Sequence, residues 1–301
     1  MQFVSPLRYP GGKAGLTGFI ADTINKNDLY GSIYYEPYAG GAGAALNLLK
    51  CGTVSELFLN DADRRIYSFW KASLVDNDRF IDQINSISLD ISEWYRQREI
   101  CLHPEKYSLF EVGFAVFFMN RCNRSGVITG AGPIGGYQQN GKWRMDARFN
   151  RKTLSERVLA LKELKQQIHI FPYDAINFLK RMIPLGKKRR RVFVYLDPPY
   201  VTNGQRLYLN AYTKRDHICL SKYLASQNVL PWLMSYDDTD FIQTLYKKYQ
   251  IATLPLNYSL QKKHAATELI IAPQHVTIPC TRRMNRDRHI VYATLNSRRA
   301  L

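Results

Sequence analysis

The feature that most constrains this chain is an unbroken apolar run, Val192-Phe193-Val194-Tyr195-Leu196, that stops at Asp197-Pro198-Pro199-Tyr200. β-Branched and aromatic residues without polar alternation read as a parallel strand buried on both faces, which implies an α/β architecture. The tetrapeptide then lies at the strand's carboxyl end, where open α/β sheets place their ligands. Two prolines stiffen the turn and remove two N–H donors, leaving their carbonyls as acceptors. A carboxylate, a prolyl carbonyl and an aromatic face converge on one spot. That set suits an aromatic amine, with acceptors for its N–H bonds and a ring to stack on its base.

A second motif gives this spot a partner. Ile33-Tyr34-Tyr35-Glu36 reads as a strand end, Pro37-Tyr38-Ala39-Gly40-Gly41-Ala42-Gly43 as a glycine turn, and Ala44 to Leu49 as the start of a helix. Strand, glycine loop and helix form the nucleotide-binding turn of a doubly wound sheet, in which glycines let the backbone approach a ligand. Leu57-Phe58-Leu59-Asn60-Asp61 is a second strand ending in an acid. An acid about 20 residues beyond the glycine turn is placed to bond ribose hydroxyls. The loop lacks Gly-x-Gly-x-x-Gly and a Lys-Ser/Thr pair, so no phosphate cradle is indicated.

Taken in order, Tyr9-Pro10-Gly11-Gly12-Lys13, Glu36 to Gly43, Asp61 and Asp197 to Tyr200 resemble the motifs of the Dam family of adenine-specific DNA methyltransferases. The resemblance runs from about Ser5 to Ala272. It implies a seven-stranded Rossmann-like methyltransferase sheet with an inserted, mainly helical target-recognition domain. The implied cofactor is S-adenosyl-L-methionine, contacted by Tyr9, Lys13, Glu36, Gly40, Gly41, Gly43, Asp61, Asp174 and Asp197. The family usually has Trp where this chain has Tyr9; another aromatic ring can still stack. Asp197, Pro198 and Tyr200 are the implied catalytic residues. Hydrogen bonds from adenine's amino group to Asp197 and the Pro198 carbonyl localise the lone pair on nitrogen, which attacks the sulfonium methyl in line. Tyr200 stacks on a base turned out of the duplex, since a paired base cannot present its amino group to a deep pocket. Cytosine C5 methylation is disfavoured, because it requires a thiolate nucleophile.

The whole-chain properties agree. A formal charge of +17 and a pI near 9.7 suit a polyanion, and double-stranded DNA is the expected partner. Cognate restriction or defence proteins are further candidate partners. The five cysteines are scattered without a Cys-x-x-Cys, and no His pair has metal spacing, so neither a disulfide framework nor a metal site is expected. No apolar run approaches the roughly 20 residues of a membrane span, and the expected location is the cytoplasm.

Residues 1–63 and 158–278 read as a discontinuous catalytic domain, 64–157 as the target-recognition insertion and 279–301 as a basic tail. The insertion carries helical patterns over Tyr67 to Leu74, Ser92 to Cys101 and Phe110 to Met119. A polar, basic, glycine-rich stretch from Asn120 to Arg144 follows, and Arg121, Asn123, Arg124 and Lys142 are expected to face DNA. Arginine suits bidentate contact with guanine. The family has an aromatic near the position of Arg124, whereas this chain has none between Met119 and Pro133, which leaves the recognition sequence open. Thr153-Leu154-Ser155-Glu156 reads as a capping box at the next helix. Ile168 to Phe171 is a short strand, and Asp174 beyond it is placed to accept from the cofactor's adenine. Val229 to Tyr236 is a further strand, and Ile251–Tyr258 with Thr267–Ala272 form a last antiparallel hairpin. Lys187 to Arg191 reads as a solvated loop able to touch phosphate. Two other readings stand beside adenine methylation: methylation of cytosine at N4, and a catalytically silent DNA-binding regulator on the same fold.

Overall fold

The computed structural model describes residues 5–8, 12–201, 212–257, 265–279 and 294–295. Its core is one sheet in the order β3-β2-β1-β4-β5-β7-β6-β8. The strands are β1 (Ser32–Glu36), β2 (Val54–Asn60), β3 (Ile168–Phe171), β4 (Val192–Leu196), β5 (Trp232–Asp237), β6 (Gln250–Asn257), β7 (Ala265–Ala272) and the two-residue β8 (Thr294–Leu295). Strands β1 to β5 are parallel, while β7 inserts antiparallel between β5 and β6. The seven expected strands are therefore present, and β8 adds a short pairing at the β6 edge. β4 is buried along its whole length, as its continuous apolar run requires.

Helices cover both faces. One face carries α1 (Thr17–Lys26) and α2 (Gly43–Lys50); the other carries α8 (Ala175–Met182), α9 (Lys214–Ala225) and α10 (Asp240–Leu245). Between β2 and β3 lie α3 (Arg64–Val75), α4 (Asn77–Ser86), α5 (Ile91–Leu102), α6 (Leu109–Cys122) and α7 (Arg151–Leu164). These helices share a continuous apolar core with the α1/α2 face of the sheet. Phe69, Phe80 and Phe117 form its aromatic centre, with Phe80 and Phe117 edge-on at 5.3 Å. α6 is buried nearly all round and crosses α3 closely at Gly113, where an added Cβ would lie 2.4 Å from the Ser68 carbonyl. Among the described residues, no helix is long and apolar enough to cross a membrane.

Two local readings change. α7 starts at Arg151 and crosses the expected boundary at 157/158. Its N-cap is Asn150, whose side chain accepts from the Thr153 N–H, so Thr153 lies inside the helix and builds no capping box. Reciprocal capping boxes occur instead at Ser108/Glu111 and Thr213/Asp216.

Candidate active site

Chain order reverses between β1 and β4, which lie side by side with Tyr35 opposite Val194. The crevice outside the carboxyl ends at such a switch point is where open α/β sheets bind ligands. Both principal motifs open there, the glycine loop from β1 and Asp197 to Tyr200 from β4.

On the β1/β2 side the glycine loop is pinned from several directions. Gly40 and Ala42 both adopt left-handed backbone, at φ of 46° and 44°. The Gly40 N–H donates to Asp61 Oδ2 at 3.0 Å, and its carbonyl accepts from Trp70 Nε1 at 2.8 Å. Ser5 Oγ donates to the Gly41 carbonyl at 2.6 Å, and Gly43 opens α2 against Ala14. Buried Asn60 ties the three strand ends together, donating to the Pro37 and Tyr173 carbonyls and accepting from the Tyr173 N–H. Asp63 is the N-cap of α3 and pairs with Arg65, whereas Asp61 faces the glycine loop. Burial, with Asp63 beside it, pushes the Asp61 carboxyl up to about 7. Glu36 is buried at the end of β1, and its Oε2 accepts no hydrogen bond among the described residues. Burial first, and the nearby Asp197 second, raise its carboxyl well above the usual range. Asp174 is exposed and caps α8, with Oδ1 accepting from the Ile176 and Asn177 N–H groups.

On the β4 side the sequence missed a principal residue. Glu268, on β7 in register with Asp237 of β5, is 1% exposed and reaches the Asp-Pro-Pro-Tyr turn. Lys13 Nζ lies 3.0 Å from Glu268 Oε1 and 3.2 Å from Asp197 Oδ1, and donates to the Tyr200 hydroxyl at 2.6 Å. Tyr200 in turn donates to Glu268 Oε1 at 2.5 Å. Burial opposes the charge on Lys13, but Asp197 and Glu268 outweigh it and raise its pKa above the ordinary lysine value. Asp197 Oδ1 also accepts from Ser235 Oγ at 2.8 Å, while Oδ2 takes no hydrogen bond from a described residue. Pro198 is buried, and the Val201 N–H donates to Asp237, closing the turn on β5. A signal for Glu268 was available: it is the single acid in the run Ala265 to Ala272, and a charge in a buried strand requires a partner. Tyr9 lies outside the described residues.

The recognition turn needs correction at two positions. Arg121 and Asn123 do not face solvent. Arg121 is buried at the end of α6 and donates to the Pro6 carbonyl; burial, with Arg157 next, lowers its pKa to about 9. Asn123 is fully buried, accepting from Trp94 Nε1 at 2.7 Å and donating to the Val127 and Ile128 carbonyls. Both hold the turn in place. Arg124 and Lys142 are exposed, and with them Trp143, 66% exposed, and Tyr137, 57% exposed. Tyr137 stacks on the exposed Tyr95 at 6.3 Å. Of the four residues expected to face DNA, Arg124 and Lys142 are therefore exposed and Arg121 and Asn123 are not.

The family model of the D12 class N6 adenine-specific DNA methyltransferases matches residues 9–260. The chain is 24% identical over 270 residues to the Type II methyltransferase M.MjaIII of Methanocaldococcus jannaschii, covering 81% of this chain and 88% of the relative. Among solved structures, the rRNA methyltransferase AviRa of Streptomyces viridochromogenes aligns over 85% of each chain at 13% identity, with a TM-score of 0.29.

Proposed function

The chain belongs to the D12 class of N6 adenine-specific DNA methyltransferases and methylates adenine in DNA; from that premise we propose how its residues divide the work. The carrying observation is the asymmetry of Asp197. Ser235 and Lys13 hold Oδ1, and Oδ2 is left to accept from an amino group. With the Pro198 carbonyl as second acceptor, both N6 protons of an extruded adenine have partners. Bonding them to acceptors withdraws the nitrogen lone pair from the ring and directs it outward. The proton that N6 loses on methylation leaves toward Oδ2. Tyr200, its hydroxyl fixed by Lys13 and Glu268, offers its ring as the stacking surface.

S-adenosyl-L-methionine is the cofactor this site fits, and when bound it supplies a methyl group on a positively charged sulfur. The fit rests on charge and on an orphaned acceptor. Glu36 brings a buried carboxylate oxygen with no described partner, and Asp61 sits beside a glycine loop that exposes backbone. Asp61 and Asp174 are assigned to the nucleoside, Glu36 to the positive end, and Gly40, Gly41 and Gly43 to the close backbone approach.

Double-stranded DNA is assigned to the exposed surface bearing Arg124, Lys142, Trp143 and Tyr137. The likeness to a Type II methyltransferase favours a site-specific enzyme acting beside a cognate restriction or defence protein, in the cytoplasm where the DNA lies. The test is mass spectrometry of digested DNA after reaction with the native enzyme and with Asp197→Ala. N6-methyladenine with the first and none with the second is expected. N4-methylcytosine as the product would overturn the assignment of Asp197 and Pro198 to adenine.

A further inference from the structure

Glu268 lies outside every motif discussed above, yet it is the most deeply buried carboxylate touching the Asp-Pro-Pro-Tyr turn. A buried ion pair is a poor way to stabilise a fold, because desolvation of both charges offsets their attraction and apolar residues of similar volume do as well. Its position points to an electrostatic task. The Oε1 atom is shared by Lys13 at 3.0 Å and the Tyr200 hydroxyl at 2.5 Å, and Lys13 is also the cation beside Asp197.

We propose that Glu268 is a positioning residue that divides the charge of Lys13, so that Asp197 stays a strong acceptor for the adenine amino group while Tyr200 is held in its stacking orientation. This rests on the reading of Asp197 given above. With one cation between two carboxylates, Lys13 is drawn toward β7 as well as toward Asp197. Without the charge on Glu268, Lys13 would neutralise Asp197 more fully. The bond from N6 to Oδ2 would weaken, and with it the localisation of the lone pair. Among the described residues, the groups facing Glu268 include Lys13 from the N-terminal segment, Tyr195 and Asp197 at the end of β4, and Tyr200 in the turn. Lys13 is the cation among these that bridges Glu268 to Asp197, and the proposed effect runs through it.

The test compares steady-state methylation by the native enzyme, E268Q, K13M, K13M/E268Q and D197A. Glutamine keeps an acceptor for Tyr200 and removes the charge. E268Q is expected to lower kcat by about 10- to 100-fold, the size of coupling between neighbouring charged groups. KM for cofactor and DNA should hardly change. K13M/E268Q should be no slower than K13M alone, because Glu268 acts through Lys13. Two independent roles would multiply instead, and the pH step that follows is the readout a packing role would not move. Burial raises the Glu268 carboxyl, so the native rate should fall toward the E268Q rate as pH drops, while E268Q lacks that step. A native kcat in E268Q, or losses that multiply in the double variant, would overturn the proposal. If E268Q alone fails to fold, the charge-balanced K13M/E268Q decides against K13M by the same criterion. D197A separates the two readings: activity surviving in D197A would refute the role of Asp197 itself, whereas a dead D197A beside an unaffected E268Q refutes only that of Glu268.

Discussion

The acids at the two halves of the crevice are set up differently. On the β1/β2 side, Glu36 and Asp61 form no ion pair among the described residues, and burial raises both carboxyls. On the β4/β7 side, Asp197 and Glu268 share Lys13. An unpaired buried acid is costly in the empty protein and is relieved by a ligand that brings positive charge. An acid already paired with lysine suits a neutral ligand that offers only N–H groups. On the proposed reading, the first half suits a cationic cofactor and the second an uncharged base.

The largest effect that can break this contrast is at Asp197. Asp197→Ala should lower kcat by about 100- to 10,000-fold, the range for a group that acts directly on the reacting proton. Cofactor binding should persist, because Glu36 and Asp61 are untouched. Isothermal calorimetry with S-adenosylmethionine checks this: lost binding in Asp197→Ala would show that the halves do not work separately.

Glu36→Gln and Asp61→Asn probe the other half. Each should weaken cofactor binding by about 1.5–3 kcal/mol, the worth of a hydrogen bond to a charged group. Asp61 adds a pH signature. Its folded carboxyl titrates at about 7, above the ordinary aspartate value of 3.8, so the native state holds an extra proton between those limits. Stability of the ligand-free protein should therefore decline as pH rises through that window and level off above about 7. Cofactor affinity should move the opposite way, because the ionised carboxylate is the better acceptor for ribose. Melting curves with and without cofactor at pH values spanning the window give both slopes, and Asp61→Asn should flatten both.

The insertion supplies a smaller contrast between adjacent residues. Asn123→Ala strips partners from Trp94 Nε1 and from two carbonyls, and should cost about 1–3 kcal/mol of stability. The methylated motif should stay the same. Arg124→Ala should leave the urea midpoint in place and lose about 1–3 kcal/mol of discrimination at one base position. Sequencing methylated bases after treatment with each variant separates the two. A changed motif in Asn123→Ala alone would return the reading head to the buried side of the turn.

How much of this was legible follows from range. The apolar run into Asp197 and the strand–glycine–helix turn around Gly40 are contiguous signals, and the sheet realises both. Glu268 was hidden because its partner Lys13 is 255 positions away, and local pattern shows only an isolated acid. Arg121 and Asn123 look like surface residues, since arginine and asparagine usually are. They are buried because backbone carbonyls wait for them, one of them at Pro6, 115 positions earlier. The α7 start differs from the sequence pattern for a local reason: Asn150 lies three residues before Thr153 and caps the same helix.

The smallest expected effect concerns Lys187 to Arg191, a 3₁₀ turn that leads directly into β4. Proximity in sequence to Asp197 suggests a role in catalysis, but the geometry separates the two. The turn precedes β4, whereas Asp197 follows it, so the five residues Val192–Leu196 lie between them and place the basic run toward the opposite end of the sheet. Lys187, Lys188, Arg190 and Arg191 are solvent-exposed, while Arg189 is tied to Gln227. Replacing the four exposed residues with glutamine should change kcat and the methylated motif not at all. Any loss should appear in DNA affinity alone, uniform across sequences, and each phosphate contact removed should reduce the salt slope by about 1. Fluorescence anisotropy against salt on a target and a non-target duplex measures that slope. Equal slopes before and after substitution would mean that the run is a solvated loop. A loss confined to the target duplex would place base recognition at the far end of the sheet and end the division of labour drawn here.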